Sequence, residues 1–258
     1  MLRLQHMSHT QVTNHLQLHP DAVAILGIGS TEQHGFGPLG TDHLIAKYLA
    51  HHVAEGVENA VLIPSIPYGM SRHHTAYAGT ISLPWELFQA LVANVLEELY
   101  RSGFRRVLIV NGHGGNHHAI DMAIKSVTTF YADLKVQNQV AIYWQVDPKH
   151  KNPLRERMLE LCQAVGEAEA SHADASEFSV LFAMFPELRQ CLDADLASMP
   201  PLPDLTTVSG VRNPQEWREK MAPCRGGKGD PRKANLEVGR KVIEALVAQL
   251  VADATTGW

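Results

Sequence analysis

Short apolar runs alternate with longer helical patterns along this chain, and that alternation limits the fold more than any other feature. AVAILGIG (22–29), AVLIPSIPYG (60–69) and RRVLIVNG (105–112) read as buried strands, and QVAIYWQVD (139–147) as a fourth. Between them, Leu44, Ile45, Tyr48, Leu49 and Val53 recur at helical spacing and predict a helix from about Thr41 to Glu55. A second helix is expected from Leu83-Pro84-Trp85-Glu86 to about Ser102, with Gly103 as its stop. A third runs from His117 to about Tyr131. Strand–helix alternation of this kind argues for an α/β fold with a parallel sheet and helices on both faces.

The 258 residues suffice for one large α/β domain or at most two small ones, and no internal repeat divides them. The stretch from about Ala197 to Gly229 is rich in Pro and Gly and weakly periodic, and reads as a long loop packing on the body. A terminal helix follows, with Asp230 as N-cap, Pro231 at N1, and Ala234, Val238, Val242, Ala245 and Leu246 on one face.

A formal net charge of −5 gives no reason to expect binding to nucleic acid or to a membrane surface. Cys162, Cys191 and Cys224 are too few and too scattered for a disulfide framework or a zinc ribbon. They read as free thiols in a reducing compartment. The first residues lack an apolar core of signal-peptide length, so a cytoplasmic protein is expected. The unusual count is fifteen histidines, since imidazole is both the commonest metal ligand and the commonest acid–base group near neutral pH.

Ligands in open α/β sheets bind beyond the carboxyl ends of the strands. The first strand runs into STEQHGFGPLGTDH (30–43), the third into NGHGGNHH (111–118). Glu32 and His34 are two apart and share a side of an extended segment. Asp42, at the start of the next helix, can turn back toward them. His113 stands just past the third strand between glycines. Singly, Asp42 is as well explained as an N-cap and His113 as a loop histidine. Jointly, two acids and two histidines at one sheet edge suit a divalent transition metal.

ASHADASEFSVLFAMFPEL (170–188) adds His172 and Glu177 near the start of a helix whose inner face carries Val180, Leu181, Met184 and Phe185. Their offset leaves them on neighbouring faces, and without context both read as ordinary helix-start residues. Glu167 and Glu169 read as solvated. Ser71, Arg72, His73 and His74 follow the second strand and could face the same pocket. GGKGD (226–230) lacks the spacing of a phosphate loop, and there is no GxSxG elbow.

The segments STEQHGFGPLGTDH, YGMSRHHTAYAGTISL, VNGHGGN, SHADASE and GDPRKA, in this order and spacing, resemble the creatininase (creatinine amidohydrolase) family, from about Val23 to the terminal helix. The resemblance implies a single three-layer α/β/α domain over 1–258 with a mostly parallel central sheet. It implies two divalent ions per chain (Zn, Mn or Fe) and hydrolysis of a C–N bond in a small, often cyclic, amide. By position, Glu32, His34, Asp42 and His113 match metal ligands, with Asp42 as the bridge. His172 matches the family histidine of proton transfer, and His74 and Ser71 the pocket. It also implies a homo-oligomer, a hexamer built as a trimer of dimers. Apolar residues of the 197–229 stretch (Met199, Pro200, Pro201, Leu202, Trp217) have no periodicity to bury them locally, which fits packing against a neighbouring subunit.

Two positions depart from the family pattern. Creatininase proper has a glutamate ligand where this chain has Gly115. The missing ligand is assigned to Glu177, the carboxylate of the HAGxxE pattern and so, with His172, part of the expected catalytic set. The departure argues against creatinine itself as substrate. Asp174 stands where that pattern has glycine. The expected mechanism is a metal-bridging hydroxide attacking the amide carbonyl, with His172 protonating the leaving nitrogen. The alternatives are a metallopeptidase acting on a modified peptide, and a non-catalytic oligomeric member of the family.

Overall fold

The structure, a computed structural model, describes residues 1–140, 160, 163–166, 172–192, 194–201, 211 and 213–258. Its five-stranded parallel sheet has the order β1-β3-β2-β4-β5. The strands are β1 (Leu2–Arg3), β2 (Val23–Ile28), β3 (Val61–Ile66), β4 (Arg106–Asn111) and β5 (Lys135–Val140). The expected fourth strand thus begins at Lys135, and its remainder, 141–147, lies outside the described residues, as do Glu167, Glu169 and Leu202.

The apolar runs are continuous because both sheet faces are covered. Val23 and Ile25 of β2 and Leu108 and Val110 of β4 point to one side. There they meet α2 (Thr41–Gly56), α5 (Ala175–Met184) and α7 (Leu236–Thr256). Ala24, Leu26, Val107 and Ile109 point to the other. They pack under α1 (His9–Leu18), α3 (Trp85–Arg101) and α4 (His117–Phe130). The result is the three-layer α/β/α architecture. Among the described residues, no helix is long and apolar enough to cross a membrane.

β2 is the strand at which the order turns, with β3 on one side and β4 on the other. A crevice therefore opens beyond the carboxyl ends of β2 and β4. Their register pairs Ile28 with Asn111, so the two motif loops leave the sheet side by side. Two glycines bring α2 down onto this edge. A Cβ on Gly29 would lie 2.4 Å from His43 Cα, and one on Gly112 2.4 Å from Asp42 O. Only glycine permits such an approach of backbone to backbone.

The C-terminal part differs from expectation in two places. Asp230 caps only a short 3-10 turn, Pro231–Lys233, and α7 begins at Leu236 under a cap from Asn235, which takes the Glu237 and Val238 N–H groups. Ala234 thus precedes the helix, whose buried line is Gly239, Val242, Leu246, Leu250 and Ala254. The 197–229 stretch contains a helix, α6 (Pro214–Lys220). Trp217 and Met199 are buried within their own chain, so these two give no support to a subunit contact.

Candidate metal centre

Asp42 enters the crevice from the first turn of α2, where Gly40, not Asp42, is the N-cap. Free of capping, its carboxylate receives three side chains. Ser30 Oγ donates to Oδ2 at 2.7 Å, His34 Nε2 lies 3.1 Å from Oδ1, and His113 Nδ1 lies 2.9 Å from Oδ2. Glu32 lies opposite, with Oε2 3.4 Å from His113 Nε2 and Oε1 3.6 Å from both His74 Nε2 and His172 Nδ1. Glu177 reaches in from α5 to 3.6 Å from His34 Nε2. All five expected ligands are brought together and buried.

Local structure holds each one. His34 Nδ1 is within hydrogen-bond distance of the Glu32 carbonyl. Asn116 spans the loops, donating to Gly29 O and accepting from Met70 N–H. On α5, Asp174 is the N-cap and accepts the Glu177 N–H at 2.9 Å, which explains an acid at the family's glycine position. Ala173, with a left-handed φ of 56°, donates its N–H to Glu177 Oε2 at 2.8 Å. Gly115 has no room for a side chain here: a Cβ would lie 2.4 Å from His113 Nε2.

His74 and Ser71 are buried against Glu32. The sequence reading assigned no role to Gln33, Ser30 or Asn116, although all three stand inside its motifs. The Gln33 amide orientation is decided by its partners. Its Oε1 accepts the Gly35 N–H, and its Nε2 donates, lying 2.7 Å from His74 Nδ1, 2.8 Å from His172 Nε2 and 3.1 Å from Gly226 O. Gln33 thereby ties the two histidine rings, stacked 4.4 Å apart, to one amide.

Three buried carboxylates without Lys or Arg partners are costly. Among the described residues, their ion-pair partners are all histidines. Burial pushes Glu32 up to about 7 against the pull of His113. Burial also opposes charge on His113, but Glu32 and Asp42 outweigh it and raise that ring to about 9. His34 is likewise raised, Asp42 and Glu177 overcoming its burial. Burial would raise Asp42, yet His34 and His113 hold it well below the usual carboxylate range. His74 and His172 are pushed well down, first by burial and then by neighbouring imidazoles.

These donors fit divalent cations. Glu32 Oε2 is buried and, among the described residues, has no hydrogen-bond partner. Donor atoms of Glu32, Asp42 and His113 lie within 4.8 Å of one another, as do those of His34, His172 and Glu177, and those of Glu32, His74 and His172. Mixed imidazole and carboxylate sets suit zinc, iron and manganese.

Comparison with known proteins agrees. The model of the creatininase family, creatinine amidohydrolase, matches residues 5–253. Creatinine amidohydrolase of Pseudomonas putida is 28% identical over 248 residues, covering 91% of this chain and 88% of that protein. Mycofactocin precursor peptide peptidase of Mycobacterium ulcerans (strain Agy99) is 30% identical over 241 residues, covering 88% and 82%. The crystal structure of creatinine amidohydrolase superposes with a TM-score of 0.75 at 25% identity, covering 98% of this chain and 96% of that one. With this match over nearly its whole length, and with carboxylates and imidazoles gathered at the switch-point crevice, the chain belongs to the creatininase family of metal-dependent amidohydrolases.

Proposed function

We propose that Glu32, Asp42 and His113 hold one divalent cation, that His34, Asp42 and Glu177 hold a second, and that the pair hydrolyses the C–N bond of a small amide other than creatinine. The observation that carries the reading is the Asp42 carboxylate, whose two oxygens face two different histidines, His34 and His113. Cations bound there would lower the pKa of a shared water from about 15.7 toward about 7 and polarise the amide carbonyl.

The chain's own residues do the rest. His172 is held neutral, and because Gln33 Nε2 donates to its Nε2, the ring carries its proton on Nδ1, the nitrogen facing the centre. It hands that proton to the leaving nitrogen, which cannot depart as an amide anion, and takes its replacement from the attacking water. Gln33 keeps the ring from turning. With Gly115 in place of a glutamate, the second-site carboxylate is assigned to Glu177, which argues against creatinine itself as the substrate.

Zinc, manganese or iron would each suit these donors. The test is hydrolysis of a panel of cyclic amides, formamides and short peptides by protein reconstituted with each metal. Turnover of a small amide is expected. Failure on every compound with every metal would leave the non-catalytic reading, and cleavage of peptides alone would favour the peptidase.

The same reading covers one domain over 1–258 and a cytoplasmic setting, which the free thiols of Cys191 and Cys224 support. It also includes a homo-oligomer, a hexamer in the family's manner. Exposed Leu87 and Leu91 on α3 and Met122 and Phe130 on α4 support it, as large apolar side chains left on the outer helices. Light scattering behind a sizing column should show a discrete species larger than the 28.5 kDa chain. A single monomer peak would refute it.

A further inference from the structure

We propose that Gln33 selects the metal ligands: as a positioning residue, it sets the tautomers of His74 and His172 so that neither ring offers a lone pair to a cation. This rests on the metal-dependent reading above and deepens it. Two backbone groups of fixed polarity hold the Gln33 amide. The Gly35 N–H donates to Oε1 at 2.9 Å, and Gly226 O accepts from Nε2 at 3.1 Å. A flipped amide would set oxygen against oxygen and N–H against N–H. Both glycines have a left-handed φ, 57° and 94°. A Cβ on Gly226 would lie 2.5 Å from Gln33 Cδ and Oε1, so a side chain there would push the amide aside.

The amide then decides the rings. Its Nε2 can only donate, and it stands 2.7 Å from His74 Nδ1 and 2.8 Å from His172 Nε2. A ring N–H aimed at it from that distance would clash, so both ring nitrogens are acceptors. Each neutral ring therefore carries its proton on the opposite nitrogen, His74 on Nε2 and His172 on Nδ1. These are the nitrogens that approach the centre, each 3.6 Å from Glu32 Oε1. An N–H there cannot coordinate a metal, and the other nitrogen of each ring is engaged by Gln33. Of the three donor groups at the centre, one contains both His74 and His172, and another contains His172. With these rings barred, Glu32, Asp42 and His113 remain intact, and His34 keeps Glu177 and the shared Asp42. Those are the two sets assigned to cations above. Glu32 Oε1 faces two N–H groups, which leaves Oε2, without a partner among the described residues, for the ion.

Nitrogen spectra of metal-free protein labelled at the histidine rings test the tautomers directly. Above the ordinary histidine range, they should show a proton-free Nδ1 on His74 and a proton-free Nε2 on His172, assigned by difference against His74→Phe and His172→Phe. Gln33→Leu keeps much of the bulk and removes the donor. Released, His172 can turn an Nδ1 lone pair to the nearby cation and become a ligand. The variant should hold its ions at least as tightly as wild type in chelator competition and gain imidazole nitrogen around cobalt by X-ray absorption. Its turnover should fall about 10²–10⁴-fold with KM little changed, as when the proton-transfer group is lost. Adding His172→Phe should remove the extra imidazole. A residue that merely braces the site would instead cost about 10–100-fold in metal affinity, and that result would overturn the proposal. The opposite tautomer of either ring in wild type would do so as well, whether or not the variant folds. Opposite tautomers with full metal uptake sink only the role of Gln33, whereas wild-type protein that takes up no metal sinks the reading beneath it and the selection with it.

Discussion

His113 and Asp42 reach each other from two different strand ends, Nδ1 to Oδ2 at 2.9 Å, while the other Asp42 oxygen faces His34 at 3.1 Å. One carboxylate is thus shared between two donor groups that the chain delivers separately. Asp42→Asn preserves the size of the side chain and removes the charge. It should bind neither ion, because each relies on this group. Elemental analysis of dialysed protein checks it, and a variant retaining a full complement would end the bridging assignment.

His172 sits at the edge of the cluster, its ring stacked on His74 and its Nδ1 turned toward Glu32. His172→Ala should keep its ions and lose about 10²–10⁴-fold in turnover, the usual scale for a lost proton-transfer group. If metal analysis instead shows an ion missing, His172 is a ligand.

Protonation sets the stability of the metal-free protein. The folded chain holds His113 at about 9 where the ordinary value is 6.5, and His34 shifts the same way. Between pH 6.5 and 9 the fold therefore binds more protons than the unfolded chain, so stability falls as pH rises. His74 and His172, depressed, act only below the ordinary histidine range, and Asp42 only in acid. Thermal melts of chelator-treated protein should show the midpoint dropping across this window. Bound ions take the place of the protons, so metal-loaded protein should melt at a nearly constant temperature. Parallel pH profiles for the two forms would contradict the arrangement.

Asp174 closes the first turn of α5 and also accepts the Ser176 hydroxyl at 2.6 Å. Asp174→Ala should cost about 1–3 kcal/mol, the loss of a cap together with an orphaned buried donor. Asp174→Gly, the family's residue, should cost less, since glycine is tolerated at an N-cap. Denaturant unfolding of the metal-loaded variants measures both. A glycine variant less stable than the alanine one would contradict the capping account.

The legible part of the fold is the part set by local pattern. β2 and β4 could be read from the sequence because every position in them but Arg106 is buried, and α2 to α4 because their apolar residues recur at helical spacing. α1 was missed although Ser8 and Gln11 form a capping box, since its one buried residue, Leu16, leaves no apolar period to notice. α7 was started too early because Asp230-Pro231 and Asn235 are both good caps, and only packing chooses between them. The gathering of the five expected ligand side chains was legible from motif order. Which histidine meets which acid was not, since that depends on the pairing of Ile28 with Asn111 and on how closely α2 approaches.

Glu177 rides on a helix in which every residue but Ala183 is buried, clamped so closely by α7 that a Cβ on Gly239 would lie 1.9 Å from Ser179 O. The other four expected ligands lie between Glu32 and His113, in the half of the chain that builds the sheet. With Glu177 as the proposed ligand beside His34 and Asp42, a bound cation would cross-link early and late parts of the sequence. Its removal would be felt first as faster hydrogen exchange in α5 and α7, with β2 and β4 still protected. On the proposed ligand set, the second ion would serve stability as well as chemistry, fastening the C-terminal layer to the sheet.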